Sequence, residues 1–336
     1  DGMRINNAFF RDSPNQYLGL VDAFAMDRVE VVRGASGSLY GADAMGGVVN
    51  FLTPEVDVEG PGRQTESRVY GAWNSADSAF VLNGEDRAGA DGYGLIAGAT
   101  VQDHSDRRTG DGQRVAPSGY RSEAAHLKWT TSLGEDSDLM FSAQWLQQPS
   151  TPRTDELVPG FGQDTPASEQ FRFEPNSRLS LHGRYRADID RNWLNQFQLN
   201  VSRQVITDDR LTQDYGVPVV RTEDNESTLD GLTLQFDVDR EDGNHLSWGL
   251  EYYADTVRSA RRETDIDSGT SATVRSRFPD RSTMDSMAAF LSSDWHAGER
   301  WTLGAGVRYS LFDIDLTGTT SSPAADLNPS DCLLYT

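Results

Sequence analysis

The chain has 336 residues, with 52 acidic side chains against 30 basic ones and a formal charge of −22. That excess argues against a nucleic-acid partner, because phosphate contacts need clustered Lys and Arg and no basic stripe is present. Mean hydropathy is −0.57, and no apolar run approaches the roughly 20 residues of a spanning helix; strands stay open, since a barrel strand needs apolar residues only at alternate positions.

Both ends read as cuts, because Asp1 follows no leader and the chain stops soon after a Ser/Thr/Pro-rich stretch that holds the lone Cys332. Residues 1–55 form a small unit of short apolar runs and dense glycine. Its first expected strand is Asp27-Arg28-Val29-Glu30-Val31-Val32-Arg33-Gly34, β-branched and stopped at a glycine. Ser36 to Tyr40 reads as a short helical turn, and Val48 to Leu52 as a second strand after Gly46-Gly47. Arg28, Glu30 and Arg33 are expected on one strand face, where charge can pair with a polar wall. Residues 56–64, rich in Pro, Gly and acid, read as a linker.

From residue 65 to 336 the period becomes two, and the strands separate into an apolar and a polar face. Leu127 and Trp129 alternate with His126 and Lys128; Leu179 and Leu181 oppose His182 and Arg184; Leu199 and Val201 oppose Asn200 and Ser202; Leu232 and Leu234 oppose Thr233 and Gln235. About eleven such strands are expected, several longer than the globular mode of about 5–6 residues and suited to tilted crossings of about 9–11. Short links near 134–138, 188–192, 240–244 and 297–300 alternate with long polar links near 103–120, 149–172, 207–222 and 262–282. Outer-membrane barrels alternate short periplasmic turns with long external loops in this way, and Trp193, Trp295 and Trp301 near strand ends suit an aromatic girdle.

The run from Arg28 to Gly41, continued by Ala42-Asp43-Ala44-Met45-Gly46-Gly47-Val48-Val49-Asn50-Phe51-Leu52, closely resembles the plug signature of TonB-dependent receptors: R-x-E-V-x-R-G, a short helix ending L-Y-G, then G-G-V-V-N. The matching positions are Arg28, Glu30, Arg33, Gly34, Tyr40, Gly41, Gly46, Gly47 and Asn50, with Ala35 where the family usually carries Pro and a looser turn expected there. The resemblance implies an all-β antiparallel transmembrane barrel, partial here, with a small α+β plug at its N-terminal side. It further implies residence in the bacterial outer membrane, contact with its lipid, and import of a scarce, bulky ligand such as a ferric siderophore, haem or cobalamin. Coupling to the TonB–ExbB–ExbD complex follows by the same resemblance, as does the expectation that plug arginines meet acidic wall residues.

Phe10, Arg11, Asn15, Gln16 and Tyr17 combine aromatic area, a cation and amide donors around Pro14. By resemblance they and the turn from Tyr40 to Asp43 point outward at the ligand; the plainer reading is a polar loop against the wall. His104, His126, His182, His245 and His296 show no close ligand spacing, no cofactor motif is visible, and the acidic runs at 103–106 and 208–209 read as solvated charge before calcium ligands. The alternatives are a passive porin, which the plug motif opposes, and a barrel enzyme, for which no nucleophile elbow appears.

Overall fold

The computed structural model describes residues 1–6, 18–34, 37–56, 62–90, 92–191, 193–240, 243–298 and 300–316. Phe10, Arg11, Asn15, Gln16 and Tyr17 lie outside these, as do Ala35 and Cys332. The plug unit opens with two 3-10 turns, Leu18–Leu20 and Ala23–Ala25. Its hairpin pairs β1 (Arg28–Arg33) with β2 (Gly47–Leu52), the helical turn α1 (Gly37–Tyr40) lying between them. Gly47 is needed where it stands: its φ is +148°, and a Cβ there would come 2.5 Å from the Val32 carbonyl oxygen across the hairpin.

The wall begins with β3 (Gln64–Asn74), β4 (Ala79–Ala90) and β5 (Tyr93–His104). After a small hairpin, β6 (Arg107–Arg108) with β7 (Arg114–Val115), come β8 (Tyr120–Ser132) and β9 (Ser137–Gln148). The next connection carries β10 (Thr151–Pro152) and α2 (Thr154–Leu157). Four long strands follow: β11 (Ser168–Arg191), β12 (Leu194–Asp214), β13 (Val219–Asp239) and β14 (His245–Asp265). β15 (Ser271–Val274) folds back on β14, and β16 (Ser282–Ala297) and β17 (Trp301–Asp315) complete the described wall. Along the main path each wall strand pairs antiparallel with the next, from β3 to β17, and among the described residues those two end strands do not meet. The fold is therefore the expected one, an antiparallel barrel, open here, with a plug beside its wall.

Polarity across the wall is reversed relative to a water-soluble protein. Leu127, Phe141, Leu179, Val201, Leu232 and Trp248 are exposed, and Leu250 is 51% exposed. On the opposite face Ser142, His182, Thr233 and Ser247 are buried and Asn200 is 4% exposed. A sandwich would bury the apolar set, whereas a lipid-embedded barrel presents it outward and keeps its lumen polar. Tyr93, Trp193, Trp295 and Trp301 are all exposed at the short-turn ends of their strands, the place of an interfacial girdle.

Two expectations are corrected. Residues 207–222 are mostly ladder, since β12 and β13 run on together and only 215–218 turn between them. The outer face there carries Thr207, Asp209, Glu226 and Asp224 in place of Val201 and Leu232, so these strand ends stand in water beyond the lipid and lose the apolar alternation that marks a strand. Second, Arg33 does not share a face with Arg28 and Glu30: the β1–β2 register is unbroken from Arg28 to Arg33, and alternation puts odd and even positions on opposite sides.

The outer face supplies two tests. Leu250→Arg is expected to cost about 2–4 kcal/mol in vesicle unfolding titrations, as for a cation near the bilayer midplane; Thr256→Arg, nearer the outer end of the same strand face, should cost far less, and equal costs would refute the lipid-facing assignment. Asp209, which accepts the Asn225 N–H at 2.8 Å, is raised to about 6 by burial, with Asp224, Asp208 and Glu226 adding repulsion. A folded value above the unfolded one makes its charge a cost at pH 7 that is relieved as pH falls through about 6. Asp209→Asn should therefore raise the unfolding temperature at pH 7, and its advantage should shrink toward pH 5.

Candidate functional site

The polar face of the wall is where the plug sits, held by contacts that the strand alternation positions. Asp22 caps the turn Ala23–Ala25 by accepting the Phe24 N–H at 3.0 Å, and its other oxygen accepts the Thr100 hydroxyl of β5 at 2.7 Å. On β8, Lys128 donates to Thr53 Oγ1 and to the Pro54 carbonyl, each at 2.9 Å, at the point where the chain leaves the plug. Glu55 lies 3.9 Å from Lys128 Nζ and 3.8 Å from an Arg184 nitrogen. Gln204 of β12 donates to the Ile5 carbonyl at 3.2 Å. Each of these wall residues stands on the lumen side by strand parity, which is how a period-two sequence converts into a row of partners for an inserted domain.

The plug's charges pair partly among themselves, while the charge of Arg4 also bears on the wall acid Asp255 of β14. Arg28 donates to Glu30 at 2.8 Å and lies 3.3 Å from Asp27, both plug residues. Where the chain leaves the plug, the basic partners, Lys128 and Arg184, belong to the wall and the acid is Glu55. Arg4 reaches Asp43 at 3.4 Å, with its guanidinium 5.5 Å from the centre of the Tyr253 ring of β14. Asn6 donates to the same Asp43 carboxylate at 3.2 Å.

Between plug and wall lies a cavity of about 520 Å³, bordered by Arg4, Asp43 and Asn50 on one side and by Ser180, His182 and Asn200 on the other. A second, of about 400 Å³, shares Leu39, Tyr40 and Gln235 with it and ends among Gln196, Asp239 and His245 at the short turns. Of the residues proposed to face a ligand, Asp43 is therefore half-exposed in the lumen and tied to Arg4 and Asn6, while Tyr40 sits toward the short-turn end, away from the expected outward position. Arg33, Gly34, Gly41 and Gly46 belong to the hairpin and its turns, where the Gly34 N–H meets the Gly46 carbonyl at 3.2 Å.

Beyond the lipid level the lumen holds a charged clasp. Glu223 of β13 is fully buried and accepts two bonds from Arg277, at 2.7 and 3.1 Å, with Arg261 at 2.8 Å. Burial would raise its carboxyl, but the Arg277 hydrogen bonds and the charges of Arg277, Arg261 and Arg210 outweigh that and hold it below the usual value. The loop that follows β15 is thereby drawn into the lumen.

The histidines have ordinary partners: His126 meets Glu85 at 3.0 Å, His182 meets Asn200 at 3.1 Å and His104 meets Asp77 at 2.8 Å. Asp106 spends one carboxylate oxygen on the Ser118 and Gly119 N–H groups, at 2.8 and 3.0 Å, and no metal-holding cluster of three such side chains occurs among the described residues. Lys128, Arg184 and Asp22 were not singled out in sequence, although the polar parity of Lys128 and Arg184 already placed them facing a lumen.

Comparison with known proteins completes the picture. The profile of the TonB-dependent receptor plug domain matches residues 1–48, and that of the TonB dependent receptor-like β-barrel matches residues 128–331. A vitamin B12 transporter, BtuB, of Vibrio vulnificus strain YJ016 is 45% identical over 53 residues, covering 16% of this chain and 8% of that protein. A hemin receptor of Yersinia enterocolitica is 27% identical over 179 residues, 52% of this chain and 25% of that protein. Among solved structures, the copper transporter OprC superposes with a TM-score of 0.73 at 17% identity over 90% of this chain and 45% of its own. The unliganded ferric citrate transporter FecA gives 0.65 at 20% identity over 89% and 45%. The chain thus spans less than half the length of each, and the structural likeness speaks for the fold alone. With the plug profile at its start and the barrel profile over more than half its length, the chain belongs to the TonB-dependent receptor family.

Proposed function

We propose that this chain is the plug-bearing part of a bacterial outer-membrane receptor that imports a scarce, bulky ligand of the ferric siderophore, haem or cobalamin class. The observation that carries the reading is a wall apolar outside and polar inside with a plug hydrogen-bonded to its lumen face through Thr100, Lys128 and Gln204. A filled lumen favours a gated receptor over a passive porin. Movement of the plug is supplied in this reading by the TonB–ExbB–ExbD complex.

Relatives named for vitamin B12 and hemin support a large cargo. Phe10, Arg11, Asn15, Gln16, Tyr17 and Asp43 remain the proposed contacts. The first five directly precede Leu18–Leu20, a turn that packs against the wall near the outer end of the lumen. Binding of cyanocobalamin, haemin and an iron-loaded siderophore panel to the complete receptor is the test. One probe should bind, and Arg11→Ala with Tyr17→Ala should weaken it at least tenfold. Unchanged affinity would remove these residues from the site, and no binding by any probe would overturn the ligand class.

A further inference from the structure

One buried cation of the wall has no counter-charge. Arg178, on the lumen face of β11, is 3% exposed. Its Nε donates to Gln204 at 2.6 Å and its Nη2 to Ser180 at 3.2 Å, both neutral groups. Those partners are themselves engaged with the plug, Gln204 donating to the Ile5 carbonyl and the Ser180 hydroxyl to the Met3 sulfur, each at 3.2 Å. Among the described residues no carboxylate comes within salt-bridge reach of Arg178, and no neighbouring charge offsets its burial. The wall cations buried to a similar depth are placed otherwise: Lys128 faces Glu55, and Arg210 faces Asp208. Taking an ion out of water is costly unless an opposite charge compensates it, which is why buried guanidinium groups are ordinarily paired.

The uncompensated charge borders the cavity of about 520 Å³ between plug and wall. The remaining guanidinium nitrogen, Nη1, has no protein partner yet is not closed off, so it opens on that space. The acids around the cavity are already engaged, Asp43 with Arg4, Glu251 with Arg308 and Asp1 with Thr53. Gln144, opposite Ser180 on β9, and Asn200 bring side-chain amides to the same space. A forked guanidinium beside neutral amide donors is a donor set suited to a carboxylate or phosphate group, and the volume falls within the roughly 300–1,000 Å³ of small-ligand pockets.

We infer that Arg178 anchors an internal anion site: the cavity takes one carboxylate or phosphate group against Nη1, with Gln144 and Asn200 completing its contacts. The anion is a free small solute or an acidic group of the cargo in passage. The site goes beyond the receptor reading, since the first source needs no cargo.

Equilibrium dialysis of the purified complete receptor in detergent against radiolabelled phosphate and citrate, at fixed ionic strength, tests this. At least one of the two should bind saturably. Arg178→Met should weaken that binding by roughly tenfold or more, as for a buried charge pair that loses one partner. Arg178→Lys, which keeps the charge, should weaken it less, and Arg172→Met, which removes the partner of Glu174, should leave it unchanged. Heat-modifiable gel mobility would confirm that each barrel is folded. The site is refuted if neither anion binds saturably to the folded parent, or if folded Arg178→Met binds as well as the parent. Uptake by cells separates the two sources of a confirmed site: with cargo as the source, Arg178→Met loses uptake of the probe that binds in the ligand panel, and with a free solute as the source uptake is kept. Dialysis needs no cargo, so failure of the ligand panel would remove the receptor reading and leave this result standing, and the converse holds.

Discussion

Backbone N–H and C=O groups that cross hydrocarbon find no water, and each one left unpaired costs several kcal/mol. The wall answers this with an unbroken series of antiparallel ladders from β3 to β17, and everything else about it follows from that pairing. Once strands are locked in register, side chains have two destinations only, lipid or lumen, and residue type is sorted by parity. The lumen then has to be filled or lined by groups that can satisfy Asn83, Lys128, Asn200 and their neighbours. The plug is polar at its surface for the same reason: Asp22, Thr53 and the Ile5 carbonyl are partners that such a lumen requires.

Strong structure and loose attachment coexist here because of solvent exchange. A hydrogen bond between plug and wall replaces one to water, so its net worth is only about 1 kcal/mol. Many such contacts position a domain well without fixing it permanently. The Leu20 contact is different in kind, since burying Leu20 against Ile206 and Val257 gains free energy by removing surface from water.

Period-two alternation was enough to read the wall, its two faces and its short turns, because within the lipid each face meets one solvent. The plug hairpin was legible through the run from Arg28 to Leu52. The reading failed where that single-solvent rule ends. Beyond the lipid, β12 and β13 are wet on their outer face and filled with charge inside, as at Asp208, Arg210 and Glu223, so a ladder looked like a loop. Phe278 and Arg277 are ordinary loop residues in sequence, and only a fold that turns the loop inward shows their partners. The pairing of Lys128 and Arg184 with the plug exit depends on which strand lies beside it, which no local pattern encodes. Arg33 stands an odd number of residues from Arg28, so the pleat of β1 puts it on the opposite face although its charge makes it look like part of one trio.

The hairpin's orientation has a mechanical consequence. β1 enters at Arg28 and β2 leaves at Leu52, directly opposite each other, and just past Leu52 the chain is anchored by Lys128 at Thr53 and Pro54. Tension applied from the amino-terminal side would thus reach the ladder at one end, peeling its rungs in succession, whereas pulling a wall strand along its axis would strain an entire row at once. A modest force can undo the first arrangement while leaving the second untouched.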